Sequence, residues 1–179
     1  MEKILKTTLI SSGKFLKIRG VEVDFGNDKQ AVLERLEFND EGNGVMMVAL
    51  DEENNIFLVE QFQVGCEERL LVLPRGGIKT GFNPEEMARQ ELEEEIGLTA
   101  NKLVKIAEIQ IFPGYVKAMS ILYLATELSK RTRDGDELET INVIRMQLHD
   151  AVNACIDGKI VDSRTIAGIL LVKEYLQRI

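Results

Sequence analysis

Residues 76–98 read GGIKTGFNPEEMARQELEEEIGL, and this stretch organises the chain around it. Asn83 is a strong N-cap residue, Pro84 suits the first helical position, and Glu86 stands where a capping-box acid reaches back. Gly97 supplies the residue past the end, so the pattern predicts a helix over Pro84–Ile96. With about 100° between successive residues, Ala88, Leu92 and Ile96 form one apolar arc. Glu91 and Glu95 border that arc, Glu94 sits one step further round, and Glu86, Gln90 and Glu93 point away. Glu85, Glu86 and Glu93 therefore read as a solvated acidic face. Glu91 and Glu95 do not. Carboxylates crowded beside a buried arc repel one another unless a cation neutralises them. Following a glycine-rich loop, Glu91, Glu94 and Glu95 read as ligands that hold Mg²⁺, with Mn²⁺ as the other candidate, against a phosphate substrate.

Upstream of this helix the chain reads as strands. Residues 15–25 and 30–38 flank Gly26-Asn27-Asp28, a hairpin connection. Residues 44–50 and 56–62 flank a turn over 51–55, and residues 69–73 form a shorter strand running into the Pro74-Arg75-Gly76-Gly77 loop. Downstream, residues 103–111 and 118–126 are strongly apolar and read as central strands. A polar segment over 129–139 with a turn at Asp134-Gly135-Asp136, a strand over 141–146, and helices over 148–156 and 163–177 complete the chain. Strands interrupted by one central helix and closed by others predict an α/β fold, with a mixed sheet sandwiched by helices.

A length of 179 residues suits one domain with a substantial core, and the 45% apolar and 29% charged content is that of an ordinary globular protein. A net charge of −8 argues against a nucleic-acid surface but not against a nucleotide substrate, because a bound cation reverses the sign locally. No apolar run is long enough for a signal peptide or a membrane span. Cys66 and Cys155 are isolated thiols, which predicts neither a disulfide nor a zinc site and favours the cytoplasm.

The 76–98 stretch resembles the signature of the Nudix hydrolases, G-x5-E-x7-R-E-U-x-E-E-x-G-U with U apolar. Gly76 opens it without gaps, and Glu91, Leu92, Glu94, Glu95, Gly97 and Leu98 match its second half. Phe82 stands where the first Glu belongs and Gln90 where the Arg belongs. In the family those two form a supporting ion pair. Losing both together reads as replacement of a structural pair, with the metal ligands kept. Phe82 is then expected as a core filler. Pro113, fifteen residues beyond Leu98, resembles the mark of ADP-ribose pyrophosphatases, and Tyr115 that of diadenosine polyphosphate hydrolases. Bacterial ADP-compounds hydrolases of the NudE type look similar in carrying both, and in a last helix like the one that follows Asp162.

That resemblance implies a single Nudix domain over 1–179, with strands over 1–40 serving a homodimer and a catalytic sandwich over 41–179. It implies metal-dependent hydrolysis of ADP-linked compounds, among them ADP-ribose, NADH, diadenosine polyphosphates and ADP-sugars, with release of AMP. The alternative is a domain that binds such nucleotides without cleaving them. In similar enzymes a main-chain carbonyl of the loop carrying Arg75, Gly76 and Gly77 completes the metal shell. The Arg75 guanidinium reads either as a contact to the pyrophosphate or as a solvated charge. Glu139 matches a mobile glutamate that assists catalysis, or an exposed loop acid. Phe112 and Tyr115 read either as faces for an adenine ring or as sheet packing. His149, at a helix start, reads as structural.

Overall fold

The computed structural model describes residues 1–39, 42–135 and 141–179. Among them the chain forms eleven strands and three helices, a mixed α/β fold in three sheets. It divides into two compact units, one made of residues 1–43 and 110–119 and the other of residues 44–109 and 120–179.

The first unit is built on β1 (Lys3–Ser12), β2 (Leu16–Gly26), β3 (Lys29–Phe38) and the short β9 (Val116–Lys117), hydrogen-bonded in that order. The β2–β3 hairpin turns through Asn27 and Asp28, both with positive φ (54° and 59°), as a two-residue turn matched to strand twist requires. The first strand adds to the hairpin predicted from sequence. β9 lies parallel to β3, pairing Val116 with Leu36.

The second unit holds the remaining strands. One sheet has the order β7 (Arg75–Gly77), β4 (Asn43–Ala49), β10 (Met119–Lys130), β8 (Leu98–Gln110). The other has the order β11 (Asn142–Gln147), β5 (Asn55–Gln63), β6 (Glu68–Val72). Successive strand residues face opposite ways, and β4 is buried on both sides. Met46, Val48 and Leu50 join Leu122 and Leu124 of β10 in a core closed by α2 (Leu148–Ile156) and α3 (Ser163–Leu176), through Ala151, Val152, Ile169 and Val172. Val45, Met47, Ala49, Tyr123 and Ala125 are also buried but lie outside that cluster. On that side is α1 (Pro84–Glu95), whose Glu85 and Arg89 act on the Tyr123 hydroxyl. Burial, then Glu85, pushes that hydroxyl up from its ordinary value. Helices thus flank the sheet on both faces, as the sequence pattern predicts. No helix among the described residues is long and apolar enough to cross a membrane.

Two local expectations are corrected. Residues 75–77 are not a free loop but the edge strand β7, antiparallel to β4 with Gly76 opposite Val45. Phe82 is not a core filler: it lies 53% exposed in the turn ahead of α1, where the chain reverses through Gly81 at φ +84°.

Asp51 ties the β4–β5 turn. Its carboxylate accepts the amides of Glu53 and Asn55, each at 2.9 Å, and the Arg145 guanidinium. Burial raises its carboxyl, but the bonds from Asn55, Arg145 and Glu53 outweigh this and hold it below the usual 3.8. A depressed carboxyl stabilises the fold above its unfolded value, and that stability is lost as pH falls through the folded one. Asp51→Asn is therefore expected to melt lower than wild type at neutral pH and to lose less stability on acidification below about pH 3.8. Parallel melting-temperature curves against pH for the two proteins would refute the assignment.

Candidate active site

The site grows from the way α1 meets β7. Asn83 caps the helix, its side chain accepting the Glu85 amide at 2.8 Å, and Pro84 follows as the first helical residue. Ile96 leaves helical geometry and Gly97 turns the chain at φ 68°. Between these ends, residues four apart lie on the same side of a helix, which sets Glu91 and Glu95 together. Both reach β7. The Glu95 carboxylate accepts the main-chain amide of Arg75 at 2.9 Å and the Gln61 side-chain amide of β5 at 3.0 Å. The Glu91 carboxyl lies against Gly76, so close that a methyl group added there would overlap it outright. Gly76 is needed for the space it leaves to a neighbour.

Glu94 is turned elsewhere, accepting the Gln90 side-chain amide at 2.7 Å, one turn back on α1. Glu93 was expected on a solvated face and is instead buried. Arg131 and Arg133 pair with its carboxylate at 3.3 and 3.2 Å, and the Arg133 amide bonds its carbonyl. An acid at that depth needs such partners, since an unpaired buried charge costs several kcal/mol, on the order of 3–5. One helix thus carries a structural acid on one side and the two β7-facing acids on another.

Arg75 is largely enclosed. Its guanidinium donates to Asp162 at 3.1 Å and to Gln63 at 3.0 Å. Burial, and then the charge of Arg164, lowers its pKa from the ordinary value, against the opposing pull of Asp162 and Glu95. Its side chain is thus a brace inside the site. A guanidinium has no lone pair to offer a metal, so any share of Arg75 in a metal shell is limited to its carbonyl. Sequence reasoning missed Gln61, Gln63, Asp162 and Thr165, because their partners lie on distant parts of the chain. The sequence pattern marked a helix starting after Asp162, but not what that carboxylate does.

Phe112 and Tyr115 are exposed in the first unit, their ring centroids 5.2 Å apart and tilted by 31°. The main chain between them is tightly turned, with the amides of Tyr115 and Val116 bonded to the Phe112 carbonyl. Gly77 is exposed at the end of β7. His149 is exposed beside Asp150 at the start of α2. Glu139, with Glu137 and Asp136, lies outside the described residues.

The model of the NUDIX domain matches residues 40–167, most of the chain. The chain belongs to the Nudix family. An ADP-ribose pyrophosphatase of Bacillus subtilis (strain 168) is 33% identical to it, over 98% of this chain and 96% of that one. The ADP compounds hydrolase NudE of Escherichia coli (strain K12) is 26% identical over 97% and 92%. A methanol dehydrogenase activator of Bacillus methanolicus is 29% identical over 98% and 92%. A crystal structure of an ADP compounds hydrolase superposes with a TM-score of 0.89 at 25% identity, covering 98% of this chain and 94% of that one. The protein is a Nudix pyrophosphohydrolase.

Nudix hydrolases generally use divalent metals, and the donors present here fit one. The carboxylates of Glu91 and Glu95 are hard oxygen donors set against adjacent residues of β7, and the space left by Gly76 accommodates the Glu91 carboxyl. Among the described residues no three His, Cys, Asp or Glu side chains already converge as a metal cluster. Gly76→Ala is expected to lower turnover about 100-fold, the scale of a 1 Å displacement in a reacting constellation, while the melting temperature barely moves. Steady-state kinetics at saturating Mg²⁺ would check it, and wild-type turnover would show that the Glu91 position is not critical.

Proposed function

We propose that this protein hydrolyses the pyrophosphate bond of ADP-linked nucleoside diphosphate compounds and releases AMP, with Mg²⁺ or Mn²⁺ as cofactor. The observation carrying this reading is the pairing of Glu91 and Glu95 against the main chain of β7. Its substrate class draws on the relatives described as acting on ADP-ribose and ADP compounds. In this reading Glu91 and Glu95 would hold the cation, Glu94 would join them by turning from Gln90, and carbonyls of residues 75–77 would add oxygen donors. The Arg75 amide and Gln61 keep the Glu95 carboxylate aimed. A cation held there would supply neutralisation of charge on the phosphate oxygens and activation of water. A water oxygen bonds to one phosphorus as the bridging P–O bond breaks, and AMP leaves. Glu139 is the assisting acid in this reading. The exposed Phe112–Tyr115 pair offers an aromatic face of the kind on which a purine stacks.

The same reading includes a cytoplasmic homodimer joined through the first unit. There Ile4, Leu9, Val32 and Leu33 are exposed on β1 and β3, apolar side chains that a partner copy would cover.

A second reading is favoured by one observation. The supporting ion pair of the signature is absent, with Phe82 half in solvent and Gln90 bonded to Glu94, and one relative is described as an activator. On that reading the domain binds ADP-linked nucleotides without turnover.

A product assay separates the two. With Mg²⁺, the protein is expected to release AMP from at least one of ADP-ribose, NADH, diadenosine triphosphate and ADP-glucose. Glu95→Gln is expected to reduce kcat by about two orders of magnitude, as loss of a ligand to a catalytic metal does. Tight nucleotide binding with no AMP, in Mn²⁺ as well, would replace hydrolysis with sensing.

A further inference from the structure

The start of α3 is bonded to the segment that aims Glu95, and these bonds go beyond what capping a helix requires. Asp162 is the N-cap, and its Oδ1 accepts the amide of Thr165 at 2.9 Å. That alone would cap the helix. The same oxygen also accepts the Thr165 hydroxyl at 2.7 Å and the Arg75 guanidinium at 3.1 Å. The Thr165 hydroxyl oxygen in turn accepts the buried main-chain amide of Leu73, at 3.1 Å. Thr165 is fully buried. Further along α3, Gly168 leaves so little room that a methyl group there would stand 2.6 Å from Leu73 Cδ1. Two residues of α3 thus hold Leu73 and Arg75 from one side. On the other side, the Arg75 amide donates to Glu95, and Gln63 takes the second arm of the guanidinium.

We infer that Asp162 and Thr165 are positioning residues for the metal site: they fix the Leu73–Arg75 main chain, and through the Arg75 amide they set the Glu95 carboxylate. This rests on the reading of Glu95 as a metal ligand. The argument is geometric. A carboxylate held by a main-chain amide is only as well placed as that main chain, and β7 is a three-residue edge strand with one hydrogen-bonded neighbour, β4. Alongside Glu95 of α1 and Gln63 of β5, it is restrained from the α3 side by Asp162 and Thr165. Outer bonds of this kind typically change metal affinity 10–100-fold.

The deciding measurement is Mn²⁺ binding to the folded protein without nucleotide, by calorimetric titration well below the melting temperature, with circular dichroism confirming the fold. Asp162→Asn keeps a good cap residue but removes the charge facing Arg75. Thr165→Val keeps the shape but removes the hydroxyl bonded to Leu73. Each is expected to weaken Mn²⁺ binding about tenfold, and Thr165→Ser, which restores a hydroxyl, is expected to bind like wild type. Lower melting temperatures with unchanged Mn²⁺ affinity would overturn the inference and leave both residues as ordinary fold supports. Thr165→Val carries the same test alone should Asp162→Asn fail to fold. Glu95→Gln, titrated in parallel, is expected to lose binding. If it binds Mn²⁺ like wild type, the metal-ligand reading itself falls and takes the inference with it. If it loses binding while the α3 variants do not, only the positioning role falls.

Discussion

The hydrogen bond from the Arg75 amide to the Glu95 carboxylate joins the two halves of the site. A charged acceptor makes such a bond roughly twice as strong as a neutral one, and this one fixes the distance between α1 and β7. Everything nearby is consistent with that short approach. Gly76 next door has no side chain, so the Glu91 carboxyl lies over its main chain. Gln61 and Gln63 project from the same face of β5, one to Glu95 and one to Arg75. Around these groups the apolar core, closed by α2 and α3, supplies the rigidity that a few polar bonds alone cannot.

The departures from the Nudix signature are local. In the family an acid ahead of the helix and an arginine on it support each other. Here the first position is a half-exposed phenylalanine and the second a glutamine bonded to Glu94 one helical turn away. Among the described residues no buried side-chain nitrogen or oxygen is left without a hydrogen-bond partner. The arginines near α1 serve the structural acid Glu93 on its other side, so the helix is anchored there as well as at β7.

What was legible in the sequence was what short-range rules govern. The N-cap of α1 lies at Asn83 and Gly97 stands just past its C-cap Ile96, and α2 spans residues 148–156 as expected. The β2–β3 hairpin follows from Asn27-Asp28. The side-by-side setting of Glu91 and Glu95 follows from helix geometry. What was not legible depended on partners far away in the chain. β1 has an alternation broken by register shifts at Ile4/Lys6 and Leu9/Ser11, which hides a period of two. β7 is too short to show any period at all. Glu93 reads as a surface acid until Arg131 and Arg133 arrive from the segment just past the end of β10. Asp162 looks like a cap and nothing more until Arg75 is seen beside it.

The empty space at Gly76 has an evolutionary reading. Its size is set by the length of the acid at position 91, which fills it. The two positions therefore share one volume and cannot drift separately. An aspartate at 91, one methylene shorter, would make room for an alanine at 76, whereas either exchange alone leaves a void or a clash. Related sequences that keep this contact will have changed both residues together or neither, so the pair carries a covariation signal that neither residue shows by itself.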